Sequence, residues 1–529
     1  MKATYIDYSD TGSFSKTLLA YLAGDEKLRP FYGNLPTGEA FAEQMAQKRD
    51  FAHRELLAGQ LEEQYGELLD GSPIVARNIR LLADANTYTV TTGHQLNIFT
   101  GPMYFIFKIV SAIRLARNLK ERYPDRHFVP VYWMATEDHD FEEINHTRAF
   151  GKKIVWDTPK IAATGRMPTS SIAEAVRQYC NTFGISANAE KLAEIVKNAY
   201  LQGRPLADAT RTMVNALFRD YGLVIIDADR KAFKEVFAPY IEQDILGERS
   251  FRAISETSAK LRELGYKPQV HAREINFFYL TDGFRERIVR TKDGRFEVLH
   301  RDIFFTEEEI RREIAAHPDR FSPNVAMRPL YEEVVLPNLA YIGGGAEIVY
   351  WLQLKANFEQ YGVPFPILVP RNSAIVTNDK TTGKIFRLDL TFKSIFRETE
   401  LLKREYVRRH TAHRLNLRDE WMEFNAIFEK MKLRAHKIDP GLERSADAVK
   451  ARLKKALNNL EKKLLKADKR NHGDALVQIE RLKEGLFPGG GLQERTENFA
   501  ELYIRHGPDL IRELERHFHP LDFKFTILY

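Results

Sequence analysis

Two polar clusters close two β-rich apolar runs in the first third of the chain. Thr92-Gly93-His94-Gln95 follows Tyr88-Thr89-Val90-Thr91, and Glu137-Asp138-His139-Asp140 follows Phe128-Val129-Pro130-Val131-Tyr132-Trp133-Met134. Glycine at 93 lets a ligand approach the backbone closely, while His94 and Gln95 can hydrogen-bond phosphate or carboxylate oxygens. A helix starting at Gly101-Pro102 would favour an anion nearby, and Asn97, Thr100 and Lys108 are ligand-capable neighbours. At 137–140, crowded carboxylates raise one another's pKa, and His139 can exchange protons near neutrality. That suits a general base acting on an amine, or carboxylates holding Mg²⁺ beside a nucleotide. A transition-metal site on His139, His146 and an acid matches no standard ligand spacing. The plain structural alternatives are a tight turn at 93–95 and a helix N-terminus enriched in acids at 137–140.

A third segment runs from Ser322-Pro323-Asn324-Val325 through Arg328-Pro329 to Tyr341-Ile342-Gly343-Gly344-Gly345-Ala346-Glu347. Three glycines between a strand and a helix can wrap a phosphate or an amino acid's charged ends with backbone groups, or make a plain turn. Arg328 is suited to grip a carboxylate with two parallel hydrogen bonds. A last glycine run, Gly489-Gly490-Gly491, stands near Arg495 and suggests a second nucleotide pocket at Gly490, Gly491 and Arg495. The chain has no P-loop, since Thr382-Gly383-Lys384-Ile385 fails at its last position, and no G-x-G-x-x-G after a strand, G-x-S-x-G or H-E-x-x-H.

Strands and helices must carry these clusters. Helical spacing covers 39–69, and Met103 to Arg122 reads as one helix with Ile106, Ile109, Ile113, Ala116 and Leu119 on its apolar stripe. It is long enough to cross over between parallel strands at 87–92 and 128–134. Ligands of open parallel sheets bind beyond the carboxyl ends of the strands, where both clusters fall. Residues 151–215 read as a helical insertion. The run 221–227 reads as a strand buried on both faces. A meander follows at Ile275–Thr281, Arg287–Arg290 and Phe296–Leu299, then strands at 339–342 and 365–369.

From about 395 glycine becomes rare. Leu453, Leu457, Leu460, Leu464 and Ala467 form a heptad seam, preceded by Leu417, Trp421, Phe424, Phe428 and Met431, with Asp439-Pro440-Gly441 between. This predicts an antiparallel helical hairpin with apolar surface to spare, through which the chain forms a homodimer. The expected division is 1–150 and 216–394 as two parts of one core, 151–215 as insertion, 395–486 as coiled coil, and 487–529 returning to the core.

Composition narrows the function class. The 529 residues are 44% hydrophobic and 29% charged, with a net charge of +6. The charge gives little support for nucleic-acid binding, and the basic residues Arg452, Lys454, Lys455, Lys462 and Lys463 read as a solvated coiled-coil face. No apolar run reaches the ~20 residues of a membrane span and the N-terminus lacks a signal core, so a cytoplasmic protein is expected. Cys180 is the only cysteine, which excludes an internal disulfide or a Cys-rich zinc site.

Thr92-Gly93-His94-Gln95 with Phe99-Thr100-Gly101-Pro102-Met103-Tyr104, Val129-Pro130-Val131-Tyr132-Trp133 with Glu137-Asp138-His139-Asp140-Phe141, and Ile144-Asn145-His146 resemble the bacillithiol biosynthesis BshC family. Ser322-Pro323-Asn324-Val325, Arg328-Pro329, Ala340-Tyr341-Ile342-Gly343-Gly344 to Glu347, Tyr350-Trp351, Leu486-Phe487-Pro488 and Leu492-Gln493-Glu494-Arg495 extend the likeness over nearly the whole chain. The resemblance implies an α/β fold: a Rossmann-like parallel-sheet core with inserted segments and a C-terminal α-helical antiparallel coiled coil that dimerises. It implies ligation of cysteine to glucosaminyl-malate, with ATP activating the cysteine carboxylate as adenylate or acyl phosphate. The implied core is similar to that of class I aminoacyl-tRNA synthetases and nucleotidylyltransferases, although the chain has neither H-x-G-H nor K-M-S-K-S.

Residues and resemblance together make Asp138, His139, Asp140, His94 and Gln95 the catalytic candidates. Thr92, Gly93, Asn97, Tyr104, Lys108, Glu137, Asn145, Asn324, Arg328, Tyr341, Gly343, Gly344, Gly345 and Glu347 are the substrate- or nucleotide-binding candidates. Another ATP-dependent amino-acid ligase or nucleotidyltransferase on the same scaffold, or a non-catalytic coiled-coil scaffold protein, remains open.

Overall fold

The computed structural model describes residues 1–159, 162–411 and 416–529, except the side chains of Lys469 and Asn471. The chain forms two compact units: Met1–Ser9, Ser13–Ile375 and Leu492–Leu528 in the first, and Asp10–Gly12, Val376–Gly491 and Tyr529 in the second.

The first unit opens its core with β1 (Thr87–His94), helix α1 (Tyr104–Arg122) and β2 (His127–Met134). Among the described residues a short helix Phe141–Ile144, a hairpin of His146–Ala149 and Lys152–Val155 and three further α-helices, the last Leu206–Phe218, intervene before β3 (Val224–Asp227) and α2 (Lys231–Gly247). An antiparallel meander follows: β4 (Phe277–Leu280), β5 (Arg285–Arg290), β6 (Phe296–Val298) and β7 (Phe304–Phe305), with β8 (Phe321–Pro323) returning to pair with β4. Helix α3 (Arg328–Val335), β9 (Asn338–Gly343), helix α4 (Gly345–Trp351) and β10 (Ile367–Pro370) complete the core. Its five strands lie in the order β10-β9-β1-β2-β3, all parallel. The terminal strands Ala3–Asp7 and Lys524–Leu528 pair antiparallel in the same unit.

The central strands are rich in threonine, valine and aromatic residues, which suit a pleated surface covered on both sides. The hydroxyls of Thr89 and Thr91 donate to Asn338 Oδ1 at 3.2 and 2.8 Å, so these buried groups are satisfied across the β1–β9 pair. Helix α1 is buried far beyond the single stripe read from the sequence: Phe105, Phe107, Val110, Ala112 and Leu115 are enclosed as well as the stripe. Several strands differ in extent from the reading above, two of them for a visible reason. β3 starts at Val224 because Gly222, at φ 71°, closes a 3₁₀ turn over Arg219–Tyr221. β5 starts at Arg285, since the Thr281 N–H bonds to the Phe284 carbonyl at 2.8 Å and ends the turn there.

The second unit opens at Val376, ahead of the composition change at 395. Its long helices α5 (Arg418–Ile438) and α6 (Glu443–Asn471) run antiparallel, for the ion pairs Glu429–Lys450, Lys432–Asp447 and His436–Glu443 rise on one helix as they fall on the other. Phe424, Ile427, Met431 and Leu460 stay exposed along them.

Candidate active site

Parallel pairing of β1 and β2 sets Gly93 against Trp133 and His94 against Met134, so the residues that follow emerge side by side at the carboxyl edge. They line one cavity of about 610 Å³ within the first unit. Gly93, His94 and Gln95 contribute one wall, and Glu137, Asp138 and His139 another. The two clusters touch directly: Gln95 Nε2 donates to Asp138 Oδ2 at 2.6 Å and to Glu143 Oε2 at 2.7 Å.

Gly93 and His94 belong to the strand rather than to a turn. The reason for a glycine here is space: a Cβ would lie 3.1 Å from Arg328 Nη1 and 3.4 Å from the Tyr341 hydroxyl. Arg328, on the first turn of α3, thereby reaches across the sheet edge. It donates to Glu332 Oε2 at 3.0 Å and to the Tyr350 hydroxyl at 3.3 Å. Burial pushes the carboxyl of Glu332 up to about 8 and outweighs the opposing Arg328 charge. Lys108, buried on α1, donates to the Gly93 carbonyl at 2.8 Å and to Glu347 Oε1 at 2.6 Å. Its burial lowers its pKa against the pull of Glu347. Tyr341 donates to Glu347 Oε2 at 2.8 Å.

The acidic run behaves differently from the mutual pKa raising expected above, because its carboxylates point apart. Glu137 pairs with buried Lys234, and burial raises its pKa. Burial pulls the Asp138 pKa up too. Gln95, the Arg285 charge and the N–H groups of His139 and Asp140 outweigh it, so the net shift is downward and Asp138 stays an anion. Asp140 is exposed and outside the cavity lining. Among the described residues no three His, Cys, Asp or Glu side chains gather as a metal-binding group.

Arg285 is the residue that sequence reasoning missed. Only 9% exposed, it donates Nε–H to the Ser322 hydroxyl at 3.0 Å and Nη2–H to the Pro323 carbonyl at 3.1 Å. Its guanidinium lies 3.9 Å from the Phe278 ring centroid, and Nη1 is 2.6 Å from His139 Nδ1. A guanidinium has no acceptor, so Nδ1 must accept, which makes the imidazole neutral with its proton on Nε2. His94 is neutral by another route: burial, then the charges of Lys108 and Arg371, hold its pKa well below the usual histidine value. The residue is partly exposed, while its Nε2 is shielded and has no hydrogen-bond partner among the described residues. The available signal for Arg285 was strand alternation: Arg285 and Arg287 share one face of β5, and both line the cavity.

Tyr104, Asn324, Arg328, Tyr341 and Glu347 also line the cavity. Asn324 is committed locally, its Oδ1 accepting from the N–H groups of Ala326 and Met327 and its Nδ2 donating to Asn276. Several candidates fall outside the lining. Thr92 donates to the Ile342 carbonyl at 2.8 Å and ties β1 to β9. Asn97 donates to the Glu143 carbonyl, and Asn145 faces His146. Gly343, Gly344 and Gly345 do not wrap the cavity: a Cβ on Gly343 would meet Ile348 and Tyr341 at 3.0 Å, and one on Gly345 would meet Leu18 at 3.0 Å. They serve the close packing of α4. Gly490 and Gly491 are exposed at the end of the second unit, and Arg495 is exposed in the first.

Comparison with known proteins agrees with this layout. Residues 1–372 match the model of the bacillithiol biosynthesis BshC N-terminal Rossmann-like domain, and residues 374–529 match that of the BshC C-terminal coiled-coil domain. The chain belongs to the BshC family. A relative from Flavobacterium psychrophilum, described as "Putative cysteine ligase BshC", is 42% identical over 100% of this chain and 99% of its own length. Relatives of the same description from Cytophaga hutchinsonii and Bacillus mycoides are 37% and 28% identical, over 99% and 94% of this chain and 98% and 95% of their own lengths. The family's two domain models meet at 372–374, beside the structural boundary at Val376.

Proposed function

We propose that this protein is a ligase that joins cysteine to the amino group of glucosaminyl-malate, the amide-forming step that yields bacillithiol. One observation carries the reading: a histidine held by a buried arginine stands beside a carboxylate whose pKa is lowered, in one cleft at the sheet edge, in a chain of the BshC family. Amide formation from a free carboxylate is uphill in water, and ATP as co-substrate supplies the activation. Asp138, oriented by Gln95, holds the sugar ammonium. His139 donates from Nε2 to the activated carboxyl oxygen as charge develops there. Asp138, which holds that ammonium, takes the proton that the attacking amine loses. Lys108 and Arg328 stand at the β1 end of the cleft and face the activated acyl group.

Purified protein given ATP, cysteine and glucosaminyl-malate should form the cysteinyl amide, read by mass spectrometry. ATP–pyrophosphate exchange confined to cysteine would agree with an adenylate, whereas exchange with other amino acids and no thiol product would replace this reading with another ligase. The exposed apolar residues of α5 and α6 support homodimerisation through the second unit. A monomer by light scattering at high concentration would remove that part.

A further inference from the structure

Four arginines line the cleft, and they divide into two kinds. Arg285 and Arg328 spend their guanidiniums on protein partners. The guanidiniums of Arg273 and Arg287 make no hydrogen bond, ion pair or ring contact among the described residues. Arg273 is nonetheless firmly placed, since its N–H donates to Asn276 Oδ1 at 3.0 Å and its carbonyl accepts from Asn276 Nδ2 at 2.6 Å. Asn276 is fully buried and bonded in turn to Ser250 and Asn324. Arg287 is paired in the ladder opposite Phe278, whose ring lies 5.5 Å from that of His139. Two anchored main chains thus carry two uncommitted cations at the rim of the cleft.

We propose that Arg273 and Arg287 form a carboxylate clamp that selects an acceptor amine bearing a dicarboxylate; this rests on the ligase reading and names the residues that recognise its acceptor. Spacing supports it. Arg287 lies two residues along β5 from Arg285, which holds His139, a shift of roughly 6–7 Å. In an amino sugar whose malate hangs on the carbon next to the amine, ammonium and carboxylates are separated by roughly 4–7 Å at ordinary bond lengths. An ammonium at Asp138 therefore brings the carboxylates within reach of Arg287 and of Arg273 in the loop before β4, whose planar forks match carboxylates with two parallel bonds. The acyl donor is left the opposite wall, with Lys108, Arg328 and His94.

The test is isothermal titration of the full chain with glucosaminyl-malate, glucosamine and ADP at fixed ionic strength. R273Q and R287Q should each weaken glucosaminyl-malate about tenfold and together about 100-fold, as expected for lost charge-assisted hydrogen bonds. Glucosamine and ADP should stay within about twofold, and R287K should fall between. Unchanged thermal unfolding is expected, since neither guanidinium holds the fold. The clamp is overturned if the double variant binds glucosaminyl-malate within twofold of the parent, if the parent does not bind it, if glucosamine is lost equally, or if ADP is lost instead, which would assign the pair to the nucleotide's phosphates. Arginine-dependent binding without any cysteinyl product would sink the ligase reading and leave the clamp. Product formed normally by the double variant would do the reverse.

Discussion

The two sides of the cleft are built on different terms. At the parallel-sheet edge nearly every polar side chain is committed: Gln95 to Asp138 and Glu143, Lys108 to Gly93 and Glu347, Arg328 to Glu332 and Tyr350. On the meander Arg285 is committed, while Arg287 and Arg273, the latter in the loop before β4, are held among the described residues only by their main chains. A committed network keeps its geometry before substrate arrives, which is what charge stabilisation in a reaction requires. Uncommitted cations cost little to leave in water and gain most when a ligand supplies the missing anion. On the proposed reading the sheet edge is organised for chemistry and the arginines facing it for recognition, with Arg285 as the bridge between them.

The largest effect should come from breaking the bridge's target. D138N and H139N are each expected to lower turnover by about 10²–10⁴-fold with the fold intact, measured by product formation and circular dichroism. R285Q should lower kcat by about 10–100-fold and move the pH dependence, because His139 Nδ1 loses the donor that excludes its proton. R285K should restore part of this, whereas a merely structural arginine would change stability and leave the pH profile in place. G93A drives a methyl toward Arg328 and should cost about 1–3 kcal/mol of stability, read by denaturant unfolding, with a smaller loss of turnover.

The smallest effect concerns Glu332. Its carboxyl, up at about 8 when folded, keeps its proton above 4.5, where the unfolded chain releases it. Stability from this group is present below about pH 4.5 and is lost as pH rises through about 8, so it contributes a falling slope across that window. E332Q should flatten that slope in urea titrations at several pH values. An unchanged slope would show that Glu332 ionises freely in place.

Much of the sheet edge was legible because it is local. Buried strands announce themselves by β-branched and aromatic runs, and the polar clusters stand immediately after them, so 93–95 and 137–139 could be paired without coordinates. The meander's share was not legible for the same reason. Arg285 lies 146 residues from His139, and nothing in Arg285-Glu286-Arg287 says which element will face it. The glycines at 343–345 misled in the other direction. Their composition suits a phosphate loop, but their need for small size comes from Leu18, Ile348 and Tyr341, contacts that only the packing of α4 creates. The acidic run likewise looked like a mutually repelling cluster, yet Lys234 and Gln95 separate its members.

The most direct measurement is the bacillithiol content of cells whose own copy of this gene is deleted, complemented by the parent chain or by a D138N/H139N double variant of equal abundance. A ligase acting through this cleft predicts full thiol with the parent and none with the variant, with glucosaminyl-malate accumulating. Normal bacillithiol from the double variant would contradict the site, and residual thiol in the uncomplemented deletion would contradict the activity itself.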